Sequence, residues 1–126
     1  MKPPLPEAID KFSILSLKLE RIRNQEQIPS IKRELLFYKT VIDEYRTDGF
    51  IIKDEWLETL IEINSRIWDL EASVRQGKEQ GLGLEEIGKR ALFIREINKE
   101  RIEFKNEIAR EIGMDFFEVK GDHLSS

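Results

Sequence analysis

Trp56, Leu60, Ile63, Ile67, Leu70 and Val74 recur at alternating steps of four and three residues, and no proline or glycine interrupts them. That rhythm belongs to an α-helix with one buried face and to no strand, whose side chains alternate with a period of two. A second row, Leu57, Ile61, Asn64, Trp68, Glu71 and Arg75, follows one residue behind the first. The first row reads as a core seam. The second sets an amide, an indole, a carboxylate and a guanidinium on the edge of that core, where a charge is costly unless it is paired or used.

The rest of the chain divides the same way. Prolines at 3, 4, 6 and 29 and glycines at 49, 77, 81, 83, 88, 113 and 121 leave four long stretches, each with apolar residues at helical spacing. The first carries Ile9, Phe12, Leu15, Leu19 and Ile22; the second carries Ile31, Leu35, Tyr38, Ile42 and Tyr45 after Pro29 and Ser30, which suit a first turn and cap, and ends at Asp48-Gly49. Asp54, Glu55 and Glu58 favour the positive end of the third, and Gly77 is expected to stop it. The run from Gly77 to Gly83 reads as a mobile connection, and Gly113 as the C-cap of the fourth helix. The expected fold is all-α: an antiparallel four-helix bundle in one domain over residues 1–126, with helices about 7–24, 29–47, 53–76 and 84–112 and a tail over 113–126. Within that tail, Met114-Asp115-Phe116-Phe117-Glu118-Val119 is apolar enough to fold back on the bundle or to meet a second copy.

Composition narrows the function. With 21 Lys+Arg against 25 Asp+Glu, the net charge of −4 supplies no positive field for nucleic acid. Cysteine is absent and the one histidine is His123, near the end, so thiolate and imidazole metal centres are not expected. No cofactor is implied. No run approaches the roughly 18 apolar residues of a membrane span, and the opening Met1-Lys2-Pro3-Pro4-Leu5-Pro6 has no signal-peptide core, so the expected setting is cytoplasmic, without membrane insertion.

The fourth helix repeats the anomaly of the third. Its row reads Ile87, Ala91, Ile94, Asn98, Arg101, Lys105, Ile108 and Ile112, apolar at both ends and polar for three turns between. The first helix has a weaker counterpart in Ser13 and Glu20, seven residues apart as Asn64 and Glu71 are. Asn64, Trp68, Glu71 and Arg75 project on one side over about 16 Å, and Arg75 stands one turn beyond Glu71, where the two can pair. If Asn98, Arg101 and Lys105 face them, the polar layer suits an anion: cations take phosphate or carboxylate oxygens, Glu and Asn take hydroxyls, and Trp68 offers a flat face to a sugar. The competing reading is an ion-pair network that fixes helix register and encloses no ligand.

Three groups of residues carry a resemblance: Ile9-Asp10-Lys11, Ser13-Ile14-Leu15 and Lys18-Leu19-Glu20-Arg21-Ile22; Ile67-Trp68-Asp69-Leu70-Glu71 with Arg75; and Ile97-Asn98 with Arg101 and Lys105-Asn106. On them the chain resembles, over about residues 8–112, uncharacterised bacterial all-helical proteins whose genes often lie among glycosyltransferases for lipopolysaccharide or capsule. The resemblance implies an accessory or binding role in surface-polysaccharide synthesis, acting in trans, and no assigned chemistry. An anionic ligand such as a phosphosugar or nucleotide sugar is the expected partner, and surplus apolar surface suggests a homodimer. Two enzymatic alternatives stand beside it. Asp10, Leu17, Lys18 and Arg21 loosely match the opening helix of helical chorismate mutases, with Glu71, Arg75, Arg101 and Lys105 as a dicarboxylate pocket. Glu55, Glu58 and Glu62 have the spacing of a Mg²⁺-binding face in an all-α nucleotide pyrophosphohydrolase, without a matching acidic pair on the fourth helix. A further alternative is a scaffold that only docks other proteins.

Overall fold

The computed structural model describes residues 2–113. The aromatic run 114–119 and His123 lie outside the described residues. Four α-helices, α1 Leu5–Arg21, α2 Ile28–Thr47, α3 Asp54–Glu79 and α4 Leu84–Glu111, are joined by short connections, the first of which holds a 3-10 turn at Gln25–Gln27. Among the described residues there is no strand, and no helix is long and apolar enough to cross a membrane.

The helix ends follow from local chemistry. Pro4 precedes α1 and Pro6 lies in its first turn, where the missing N–H costs nothing, and Glu7 complements the positive end. α1 stops at Arg21, three residues short of the expected end. Ile22 is extended, and the Asn24 side chain accepts a hydrogen bond from the Glu26 amide at 3.0 Å, which offers the backbone an alternative to helix. Pro29 lies in the first turn of α2 as expected, but Ser30 does not cap it.

Gly77 does not stop α3. The helix runs on through it to Glu79 and ends at Gly81, whose φ of 76° lets the Leu82 amide reach back to the Gly77 carbonyl at 2.7 Å and the Gly81 amide to Lys78 at 3.3 Å. Gly77 serves a different need. It is buried, and a Cβ there would fall 2.7 Å from Leu82 Cδ2, so its bareness admits Leu82 onto the helix.

The helices run up, down, up, down. Tyr45, late in α2, donates its hydroxyl to the Pro3 carbonyl just before α1, at 2.8 Å. Asp10 meets Asn64, and Arg21 meets Asp69, so α1 and α3 climb side by side in parallel. Lys105 reaches Glu7 while Arg66 reaches Glu100, so α4 descends against both. α1 is the hub: α2 runs closely along α1 alone and meets α3 and α4 only through side chains of the core, while α3 and α4 close on the opposite flank of α1. The core lies at the lower end, where Leu5, Ala8 and Ile9 of α1 meet Val41, Ile42 and Tyr45 of α2, Trp56 and Leu60 of α3 and Ile108 of α4.

Candidate functional site

Above that core, four polar residues are buried: Asp10 and Ser13 of α1, Asn64 of α3 and Lys105 of α4. They form one cluster. The Asn64 amide nitrogen donates to Asp10 Oδ1 at 3.0 Å and to Ser13 Oγ at 2.8 Å, and the Ser13 hydroxyl donates to the Asp10 carbonyl at 2.6 Å. Lys105 Nζ lies 2.6 Å from Glu7 Oε1 and 3.6 Å from Asp10 Oδ2. Lys105 and Asp10 are each only 2% exposed, so their charges are held in low dielectric by one another and by Glu7 and Asn64.

Arg101, one turn before Lys105 on α4, is less well matched. Its Nε comes 3.7 Å from Asp10 Oδ2, near enough for attraction and too far for a hydrogen bond, and its Nη1 makes a long 3.5 Å contact with Asn64 Oδ1. The Nε is sealed from solvent and has no hydrogen-bond partner, although the side chain as a whole is 25% exposed. A guanidinium that is partly dry and partly unsatisfied stands at the edge of a cleft of about 160 Å³ lined by Ile14, Leu17, Asn64, Ile67, Trp68, Glu71, Asn98 and Arg101. Glu71 is exposed at its mouth and Trp68 half-buried in its wall. Arg21 lies 5.8 Å from the Trp68 ring centroid and is held by Asp69 Oδ1 and Ser65 Oγ, both at 2.8 Å.

The polar layer read from the two interrupted rows therefore divides in two. Asn64, Lys105 and Ser13 belong to the closed inner cluster, and Lys105 points away from the cleft and into the acids of α1. Asn98, Arg101, Trp68 and Glu71 line the open cleft beside it. Arg75 and Glu20 belong to neither: both are exposed, and Arg75 forms no ion pair with Glu71. Asp10 and Glu7 are central and were not among the residues expected at the site. Asp10 entered only through the resemblances of the first helix, and Glu7 is legible only as an acid one turn before it.

A larger groove of about 200 Å³ runs between α1, α2 and the start of α3, floored by Ile9, Phe12, Ile42, Ile52 and Leu57. Its rim charges answer each other. Lys39 and Arg46 each lie 3.1 Å from Asp43, and Lys53 pairs with Glu111. The Lys39 ammonium bonded to it holds the Asp43 carboxyl below its ordinary value. With no unsatisfied polar group, this groove has nothing that calls for a ligand.

No protein-family model, curated protein or solved structure matches this chain.

Proposed function

We propose that the cleft between α1, α3 and α4 binds a small hydroxylated anion, of the class of a phosphosugar, and that the protein is a binding or accessory component of surface-polysaccharide synthesis working beside the enzymes in the cytoplasm. One observation carries the ligand: the Arg101 guanidinium, with a dry and unpartnered Nε, sits at a cleft that also holds an amide, a carboxylate and an indole. Phosphate or carboxylate oxygens satisfy a guanidinium better than the distant Asp10 does. Asn98 and Glu71 are placed to take hydroxyls, and Trp68 to lie along a sugar ring. The size favours a phosphosugar over a nucleotide sugar, since 160 Å³ is well below the roughly 300–1,000 Å³ of sites that enclose a larger ligand. The polysaccharide setting rests on the resemblance over residues 8–112 alone.

The two enzymatic readings fit less well. A chorismate-mutase-like pocket needs Lys105 and Arg75 in the cleft, and one is engaged by Glu7 and Asp10 while the other is outside. Among the described residues no group of three or more Asp, Glu or His side chains is arranged to hold a metal ion, which leaves Glu55, Glu58 and Glu62 as a solvated face. The scaffold reading keeps one observation of its own, the closed inner cluster, which fixes the register of α1, α3 and α4 whether or not the cleft is filled.

The deciding measurement is thermal unfolding with inorganic phosphate, hexose phosphates and nucleotide sugars. A ligand present at about a hundred times its Kd adds about 2.7 kcal/mol to stability. A hexose phosphate is expected to raise Tm most, and Arg101→Ala to abolish that rise while leaving the unliganded protein folded. Absence of any shift, or a shift that survives Arg101→Ala, would overturn the ligand and leave the scaffold.

A further inference from the structure

The groove between α1, α2 and the start of α3 calls for no polar ligand; what it lacks is apolar cover. Phe12, Ile52 and Leu57 on its floor are only half-buried, whereas Ile9 and Ile42 beside them are buried. It exists because α2 runs closely along α1 alone, so that Ile9 and Phe12 of α1 lie between two separated banks. At about 200 Å³ it falls below the roughly 300–1,000 Å³ of sites that enclose a small molecule, and it suits inserted side chains. The end of α4 stands at its edge. Lys53, which lines the groove, pairs with Glu111 at the end of α4, and Ile112 packs on the same core cluster as Phe12, Ile52 and Leu57. At Gly113 φ is 76° and the amide bonds the Arg110 carbonyl at 3.2 Å, so the helix ends at the level of the groove.

We infer that the run Met114-Asp115-Phe116-Phe117-Glu118-Val119 packs into this groove of its own chain, anchored by Phe116 and Phe117. Reach selects it first. Six extended residues span about 20 Å, and the run starts three residues after Glu111, whose carboxylate already meets the groove-lining Lys53. Surface character selects it next. Four of its six residues are apolar and two are adjacent phenylalanines, and an aromatic side chain laid on a half-open apolar floor removes both surfaces from water. Charge agrees. On the α2 bank Lys39 and Arg46 share the one carboxylate of Asp43, so that bank holds two cations to one acid. The run carries Asp115 and Glu118, one on each side of the phenylalanine pair, and no base. Rings between the banks leave those carboxylates at the rim, where the exposed Lys39 and Arg46 can take them.

Paramagnetic broadening in the full chain tests the docking. The chain has no cysteine, so a spin label on Lys39→Cys, on the α2 bank, is unique. Amide resonances of residues 114–119 are expected to broaden several-fold with that label and to stay sharp with one on Lys89→Cys, on the exposed side of α4. Combining Phe116→Ser with Phe117→Ser is expected to abolish the broadening and to lower Tm by about 5 °C. With Leu57→Ala in place the same pair should lower Tm less than half as far, because the rings then lose part of their floor. No broadening from the Lys39→Cys label, an unchanged Tm, or an equal fall with and without Leu57→Ala would each overturn the docking. Mixing spin-labelled chains with isotope-labelled ones separates the sources of the run: broadening in the mixture would mean that the groove takes it from a second copy, and would overturn docking within one chain.

Discussion

At the scale of single residues, Asn64 shows how one polar side chain in an apolar row can set the position of three helices. Its amide nitrogen bonds two groups of α1, and its amide oxygen faces Arg101 of α4. Replacing it removes the one hydrogen-bond donor among the described residues within 3.0 Å of the buried Asp10 carboxylate, leaving that group to the longer contacts with Lys105 and Arg101. Asn64→Ala is therefore expected to cost about 2–3 kcal/mol, near the upper end for an unsatisfied buried polar partner. Ser13→Ala, which loses a hydroxyl that can turn to its own helix, is expected to cost about 1 kcal/mol. Urea unfolding of the two variants gives the order, and equal costs would mean that Asn64 does not hold the cluster together. Asn64, Arg101 and Lys105 were readable in the sequence because each interrupts an apolar row. Asp10 and Glu7 were not. The α1 row of Ile9, Phe12 and Leu15 runs past them unbroken, and an acid beside a seam looks the same whether it faces water or a lysine from another helix.

At the scale of elements, intrinsic propensity placed the helices but misjudged two of their ends. A glycine inside a helix costs roughly 1 kcal/mol, which tertiary packing readily offsets, so Gly77 marked a contact for Leu82 and the true stop waited for the left-handed Gly81. α1 ended early for the opposite reason, a local hydrogen bond from Asn24 that periodicity does not register. The α1–α2 hairpin is also closed by a group that no helical pattern reveals. Tyr45 is buried and donates to Pro3, while Lys2 pairs with Asp48 at 2.7 Å and stands 4.2 Å from the Tyr45 ring centroid. Burial pushes the Tyr45 phenol above its ordinary 10.0. A folded-state value above the unfolded one means that the contribution is fully present below about pH 10 and lost as pH rises through the folded value. The bond to Asp48 likewise raises Lys2, so this clasp as a whole weakens in alkali. Tyrosinate absorbance is expected to show one of the two tyrosines ionising late, together with a fall in Tm, and Tyr45→Phe should remove that late step. A late step that persists in Tyr45→Phe would assign it to Tyr38 instead.

At the scale of the whole molecule, unequal helix lengths explain why core, site and open hairpin follow one another along a single axis. α1, of 17 residues, is too short to accompany α3 and α4, of 26 and 28, to their tip. Where α1 is fully flanked, apolar side chains close the core; where α1 thins out, polar residues replace them and the cleft opens; past its end, only one helix seam remains. This gradient was only half visible in the sequence. The rows and their polar interruptions lay in plain view, but which helix covers which stretch depends on spatial order, and α2 turning away from α3 and α4 leaves no mark on periodicity. The consequence can be measured by native-state hydrogen exchange. Amides from Trp56 to Ile67 and from Phe104 to Ala109, packed around α1, are expected to exchange only through global unfolding. Those from Ser73 to Glu79 and from Ile87 to Ile94 should open locally at lower free energy and with little dependence on denaturant. Uniform protection along α3 would mean that the hairpin opens with the core as one cooperative unit.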